Sequence, residues 1–226
     1  MLELNVYHKF IVTLEPVINV SRVISGYEVG LKPKNDLLVR DVQLDYNDKL
    51  NLIIYMLDRL TYFVESKTTG KSFSDIVFYI TLRSEYLQEP RVLVFVNVLK
   101  NLLESKGSSL VFIFNDNDFS NNVNLLYSYD FYYPTCTSIQ LGVMCFDLGT
   151  FNHLDSIKNN NISVLKFSFD LRRVQEVITQ VIPVCNHTNT MLLFENINDE
   201  GLFFEASGIG NAIYKGGIAG SIIYLI

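Results

Sequence analysis

Short runs of β-branched and aromatic residues recur along this chain with long helical patterns between several of them, and that alternation limits the architecture more than any single motif. The runs are FIVTL, ISGYEVGL, DIVFYITL, SLVFIFN, SIQLGVMCF, ISVLKFSF, TMLLFEN and NAIYKG. Each has the composition and length of a strand. Between them, YNDKLNLIIYMLDRLTYFVES repeats Leu50, Ile53, Ile54, Leu57, Leu60 and Val64 at three and four residues, so these side chains share one helical face. RVLVFVNVLKNLLESKG predicts a second helix that stops at Lys106-Gly107, and LRRVQEVITQVI a third. Strands alternating with helices imply an α/β fold with a mainly parallel sheet, either a closed barrel or an open doubly wound sheet. Periodicity fits both. An open dinucleotide-binding sheet carries its Gly-rich turn after the first strand, whereas GIGNAIYKGG lies near the C-terminus. That favours the barrel, with a ligand site at the C-terminal ends of the strands.

A chain of 226 residues that is 49% hydrophobic can bury a large core. No Pro/Gly/Ser-rich linker divides it, so one domain over residues 1–226 is expected. The balance of 18 basic against 24 acidic residues gives a net charge of −6, and the basic residues form no stripe that would track a phosphate backbone. Direct nucleic-acid binding is therefore not expected. Cys136, Cys145 and Cys185 form no CxxC motif and leave one unpaired in any disulfide scheme, which suits a reducing compartment. MLELNVYHKFIVTLEP lacks the pattern of a signal peptide, and GGIAGSIIYLI is too short to span a bilayer. A cytoplasmic protein without membrane association follows, its tail read as a buried last strand. The sequons at Asn161 and Asn186 are then chance matches, and His8, His153 and His187 are too scattered for metal or triad chemistry.

Charged residues fall at the ends of the strand-like runs: Glu28 in SGYEVG, Asp116 after VFIFN, Asp147 after MCF, Lys166 in VLKFSF and Glu195 after MLLF. Each alone reads as a polar strand end or a cap. Four acids and a lysine on one barrel rim resemble a metal-assisted phosphodiester hydrolase, because hard cations take several oxygen ligands and a lysine can orient the attacking water.

In order along the chain, these segments resemble the EAL domain, the bacterial family that hydrolyses cyclic di-GMP on a modified TIM barrel. The resemblance runs from about Leu14 to the C-terminus. LEPVINVSRVISGYEVGLK is similar to the family's opening and puts Glu28 on its signature Glu. YITLRSEYL resembles its Val-Asn-Leu-Ser strand, LVFIFND its Leu-Glu-Ile-Thr-Glu strand, and MCFDLGTF its Asp-Asp-Phe-Gly-Thr-Gly segment. VLKFSF resembles Leu-Lys-Ile-Asp and LFENIN resembles Ala-Glu-Gly-Val-Glu, with Gly210 and Gly216 following.

The resemblance implies that Glu28, Asp147, Lys166 and Glu195 keep family positions, while others depart from the pattern. Thr81 stands for the metal-binding Asn, Ile113 for the metal-binding Glu, Phe146 for the first Asp of the pair and Ser168 for the Asp after the lysine. Lys215 stands for a Gln, and Phe151 and Asn196 stand for glycines. Two-metal hydrolysis needs a bridging carboxylate and several oxygens. Phe146 and Ile113 offer none, so no catalytic residue, metal or cofactor is expected, and Asp147 reads as a remnant that pairs with Lys166 or caps the Gly149-Thr150 turn. The family's arginine after Glu-Ala-Leu has only Lys32 near its place, after Val29-Gly30, and an ammonium lacks the planar bidentate fork of arginine. Cyclic di-GMP is therefore expected to bind weakly or not at all.

Stand-alone degenerate EAL-like proteins of enterobacteria, the YdiV-type anti-FlhDC factors, resemble this chain in architecture. That resemblance implies a protein partner, the FlhD subunit of the flagellar master regulator FlhDC, and repression of flagellar genes and motility. The alternative is a cyclic di-GMP sensor or a residual metal-dependent phosphodiesterase. Tyr127, Tyr129, Phe131, Tyr132 and Tyr133 in LLYSYDFYYPT form a candidate partner-binding segment, since aromatics with polar handles are enriched at interfaces. Packing of the same residues between barrel and helices is the other reading.

Overall fold

The computed structural model describes residues 9–34, 44–66, 74–115, 117–119, 121–122, 139–144, 162–170, 172, 175 and 177–225. Within them the strands are β1 (Phe10–Ile18), β2 (Ile24–Pro33), β3 (Val77–Thr81), β4 (Ser109–Asn115), β5 (Ile139–Met144), β6 (Val164–Ser168), β7 (Met191–Glu195), β8 (Ala212–Lys215) and β9 (Ile223–Leu225). The helices are α1 (Tyr46–Ser66), α2 (Pro90–Lys106), α3 (Ile182–Thr188) and α4 (Glu200–Ser207).

From β2 to β8 every neighbouring pair is parallel, and β1 closes the ring by lying antiparallel to both ends of that run. Its one edge pairs with β2 over the whole strand, from Phe10 opposite Pro33 to Ile18 opposite Ile24. Its other edge pairs with β8 at Val17 and Ile18 and with β9 at Val12, Thr13 and Leu14. The antiparallel start has a local cause. Only a tight turn separates β1 from β2, and it is held by the Asn19 side-chain Oδ1, which accepts the Ser21 and Val23 N–H groups. Parallel pairing would need a long crossover there. The expected α/β barrel is thus the fold found.

Alternation along the strands sorts side chains into two layers. Val17, Tyr79, Val111, Ile113, Val164, Leu193 and Ile213 form one buried cluster, the barrel interior. Their strand neighbours Phe78, Ile80, Phe112, Leu165, Leu192 and Phe194 belong to the larger cluster beneath the helices. Gly26 makes room for the interior, since a Cβ there would lie 2.7 Å from the Tyr79 ring and 2.3 Å from the Val77 carbonyl oxygen.

The helix α1 buries Leu50, Ile53, Leu57, Leu60 and Val64 as its periodicity predicts, and adds Leu52 and Met56, while Ile54 is only half-buried. The apolar face is therefore rotated slightly from the one the spacing marks. At its C-terminus α2 ends on Gly107 in the left-handed region, φ 69°, with its N–H donating to the Leu103 and Glu104 carbonyls. In the third predicted helix, Val177–Val181 form a wide π turn, and the chain continues directly as α3 from Ile182 to Thr188. α4 was not expected; it opens where the Asp199 carboxylate accepts the Leu202 N–H. The tail corrects another expectation. β9 is a short strand with Tyr224 exposed and only Leu225 buried, because β8 already occupies the rest of that edge of β1. No helix of the described residues is long and apolar enough to cross a membrane.

Candidate functional site at the barrel mouth

At the C-terminal ends of the parallel strands, the inward-facing positions change from hydrocarbon to charge. β2 supplies Glu28, β6 Lys166, β7 Glu195 and β8 Lys215, and the antiparallel β1 adds Glu15, the direct cross-strand partner of Glu28. Lys166 Nζ donates to Glu28 Oε1 at 2.6 Å and lies 2.9 Å from Glu195 Oε2. Lys215 Nζ donates to Glu28 Oε2 and lies 3.1 Å from Glu15 Oε2 and 3.5 Å from Glu195 Oε2. Lys32 completes the group, 2.8 Å from Glu15 Oε1. Carboxylates Glu15, Glu28 and Glu195 therefore face the ammoniums Lys32, Lys166 and Lys215, one for one. The Lys166 side chain is only 4% exposed, so this compensation is needed for it to be charged at all.

Burial, the largest influence on Glu28, pushes its carboxyl up, but Lys166 and Lys215 together outweigh burial and hold it below the ordinary carboxyl value. Burial likewise pushes Glu15 up, and Lys32 and Lys215 reverse the sign. For Lys215 burial acts downward, and Glu28, Glu15 and Glu195 hold the ammonium above the usual lysine range. The consequence for stability has a definite sign. Glu28 binds its proton less readily folded than unfolded, so its contribution is complete above the ordinary carboxyl range and is lost as pH falls through the depressed value. The melting temperature should decline as pH is lowered from about 6 to about 3 and should decline less in Glu28→Gln. An equal decline in both proteins would contradict a role for Glu28.

Of the remaining expected positions, Thr81 lies exposed at the end of β3. Ile113 is fully buried in the barrel interior, where Gly142 makes room: a Cβ on that glycine would lie 3.1 Å from Ile113 Cγ1. Ser168 is exposed and its Oγ accepts from Asn196 Nδ2 at 2.7 Å. Asn196 has φ 66°, a conformation that glycine adopts freely and asparagine tolerates, so the backbone turn survives the residue change. Asp116, Phe146, Asp147, Phe151 and the segment holding Tyr127, Tyr129, Phe131, Tyr132 and Tyr133 lie outside the described residues. So does the expected pairing of Asp147 with Lys166; the described partners of that lysine are Glu28 and Glu195.

Two members of the cluster escaped sequence reasoning. For Glu15 the only sequence signal is an acid at an alternate position of FIVTLEPV. Lys215, which by resemblance stands for a lost amide, contacts every carboxylate in the group. Its backbone is fixed in place by Gly216, whose φ of 145° and close approach to Ile197 leave no room for a side chain: a Cβ would fall 2.4 Å from the Ile197 carbonyl oxygen. Gly216→Ala is expected to cost about 1–3 kcal/mol through backbone strain alone, measured by denaturant unfolding.

The residues described do not fit the two-cation centre that the EAL resemblance implies. A branched hydrocarbon stands at Ile113, and both oxygens of Glu28 are already hydrogen-bonded to ammoniums. Among the described residues no group of three or more His, Cys, Asp or Glu side chains is arranged to hold a metal ion. At the same end of the barrel lies a cavity of about 440 Å³ between α1 and the ends of β2 and β3, lined by Val29, Leu31, Met56 and Thr81 with Lys49 and Arg83 among its polar groups.

No protein-family model and no curated protein sequence matches this chain. Solved structures do. The manganese/cyclic di-GMP complex of Klebsiella pneumoniae BlrP1 matches with a TM-score of 0.72 at 12% identity, over 96% of this chain and 56% of that one. Bacillus subtilis YkuI, a protein with an EAL domain in complex with substrate cyclic di-GMP and calcium, matches at 0.70 and 18% identity, over 96% and 56%. The FimX EAL domain of Pseudomonas aeruginosa bound to cyclic di-GMP matches at 0.65 and 16% identity, over 95% and 91%. The chain spans 62% of the length of the EAL enzyme Bd1971, which it also matches. These likenesses show the fold: the chain has the α/β barrel fold of the EAL domain.

Proposed function

We propose that this chain is a catalytically inactive EAL-fold protein that works by binding a protein partner, the FlhD subunit of FlhDC, and thereby represses flagellar gene expression and motility. The observation that carries the inactive part is the occupation of Glu28, the family's signature acid, by two lysine ammoniums from β6 and β8. A carboxylate whose two oxygens are both engaged in this way has little left for a cation, and Ile113 removes a further ligand position. A barrel kept intact while its mouth is neutralised by its own side chains fits a scaffold for protein contact. The partner itself follows from the resemblance to stand-alone EAL-like anti-FlhDC factors.

A second reading, cyclic di-GMP binding with or without residual hydrolysis, is favoured by the cavity of about 440 Å³ at the mouth with Lys49 and Arg83 among its lining residues. BlrP1, YkuI and FimX are all seen with that ligand. Two experiments separate the readings. Capture of purified FlhDC by the immobilised protein, together with no heat on titration with cyclic di-GMP in excess magnesium, is the expected pair of results. Saturable heat would establish the sensor reading, and failure to retain FlhDC would remove the partner.

A further inference from the structure

Three carboxylates from three strands point at one nitrogen. Lys215 Nζ donates to Glu28 Oε2 from β2 and stands 3.1 Å from Glu15 Oε2 of β1 and 3.5 Å from Glu195 Oε2 of β7. Carboxylate oxygens are the ligands that hard divalent cations take, but these three are gathered on an ammonium and are not arranged to hold a metal ion. The positive centre here is covalently part of the chain. Its position is enforced from the backbone side: the Lys215 carbonyl accepts the Ile197 N–H at 3.0 Å, and Gly216 packs directly on Ile197. The side chain is 17% exposed, so it cannot leave for solvent without uncovering the acids beneath it.

We propose that the Lys215 ammonium is a built-in counter-ion that takes the place of a divalent cation, so that the mouth of this barrel holds its carboxylates together without metal. The inference rests on the non-catalytic reading of the mouth but not on the identity of the partner. Without Lys215, Glu15 keeps Lys32, and Glu28 and Glu195 share Lys166, leaving three carboxylates to two ammoniums. That excess negative charge sits on partly buried acids beside one another, and an added cation or protonation relieves it. The lysine does with one charge, held by the fold, what a diffusible ion does with two.

The test is thermal melting of the full chain and of Lys215→Gln and Lys215→Arg, each in EDTA and over a series of manganese concentrations. The wild-type melting temperature is expected to be the same in EDTA and manganese. Lys215→Gln is expected to melt roughly 5 °C lower in EDTA and to regain part of that loss as manganese rises, with the logarithmic dependence of ligand linkage. Lys215→Arg retains the charge and is expected to stay insensitive to manganese. A Lys215→Gln protein that melts lower and ignores manganese overturns the inference, as does a wild-type protein that manganese stabilises. If Lys215→Gln does not fold, manganese electron paramagnetic resonance on the wild type decides: free ion throughout supports the proposal, and immobilised ion released in Glu28→Gln overturns it. Hydrolysis of cyclic di-GMP by the wild type would instead remove the non-catalytic reading on which the inference stands, a separate result.

Discussion

Lys166→Met is expected to lower the unfolding free energy by about 3 kcal/mol, the lower end of the range for breaking a buried ion pair from one side. The methionine fills most of the space of the lysine stem, so packing changes little and the effect isolates the charge. What it leaves behind is Glu28 and Glu195 beside each other with Lys215 as their shared cation. Glu195 keeps 22% side-chain exposure, which admits water and holds the cost below the upper end of that range. The pairing makes a second, sharper expectation. Combined with Glu28→Gln, which removes the charge that Lys166 compensates, the loss should be smaller than the sum of the two single losses. Urea unfolding of the four proteins in the cycle measures it, and strict additivity would mean that the two side chains, although 2.6 Å apart, do not stabilise each other.

Phe194→Ala is expected to cost about 3–5 kcal/mol. Phe194 is fully buried on the helix-facing side of β7, between Phe167 of β6, Phe169, and Tyr214 of β8. Its ring meets Phe167 edge-on at 4.8 Å between centroids and Phe169 edge-on at 5.2 Å, and stacks on Tyr214 at 6.2 Å. Tyr214 in turn meets Phe203 of α4. Truncation therefore opens a cavity bounded by three rigid rings, which cannot collapse into it as flexible side chains would. Because β7 and β8 carry Glu195 and Lys215 at their ends, the same change should also increase manganese-independent loss of the mouth on heating. Guanidinium unfolding checks the magnitude, and a cost below about 1.5 kcal/mol, the level of a tolerated volume-conserving swap, would contradict this account of the packing.

The parts of the fold that read directly from the chain are those whose signal is local. Leu57, Leu60 and Val64 mark a helix face by spacing alone, and FIVTL or SLVFIFN mark strands by their residue types. Lys106-Gly107 stops α2 where the backbone turns left-handed. α4 was not legible because eight residues give too little periodicity, and its signal is a single cap at Asp199. Strand direction is not encoded by alternation; the antiparallel sense of β1 follows instead from the short turn that joins it to β2.

The site divides along the same line. Glu28, Lys166 and Glu195 were marked by their place at strand ends, and the structure brings all three together. The meaning of Lys215 depends on closure of the ring between β8 and β1, which brings it to Glu28 of β2, 187 positions away in the chain. Before closure it is a lost amide, and after closure it is the cation that faces Glu15, Glu28 and Glu195. That Ile113 offers no oxygen is legible from its residue type, but its fit against Gly142 in the barrel interior depends on the register of β4 on β5.

A barrel mouth neutralised by its own lysines is expected not to hydrolyse a cyclic dinucleotide. The most direct measurement is product analysis after prolonged incubation of the purified protein with cyclic di-GMP and manganese. Unchanged substrate, in a sample whose fold is verified by cooperative melting, is the predicted result. Linear dinucleotide formed in proportion to protein, and abolished by Glu28→Gln, would contradict the claim and mean that Glu28 still binds a working cation despite Lys166 and Lys215.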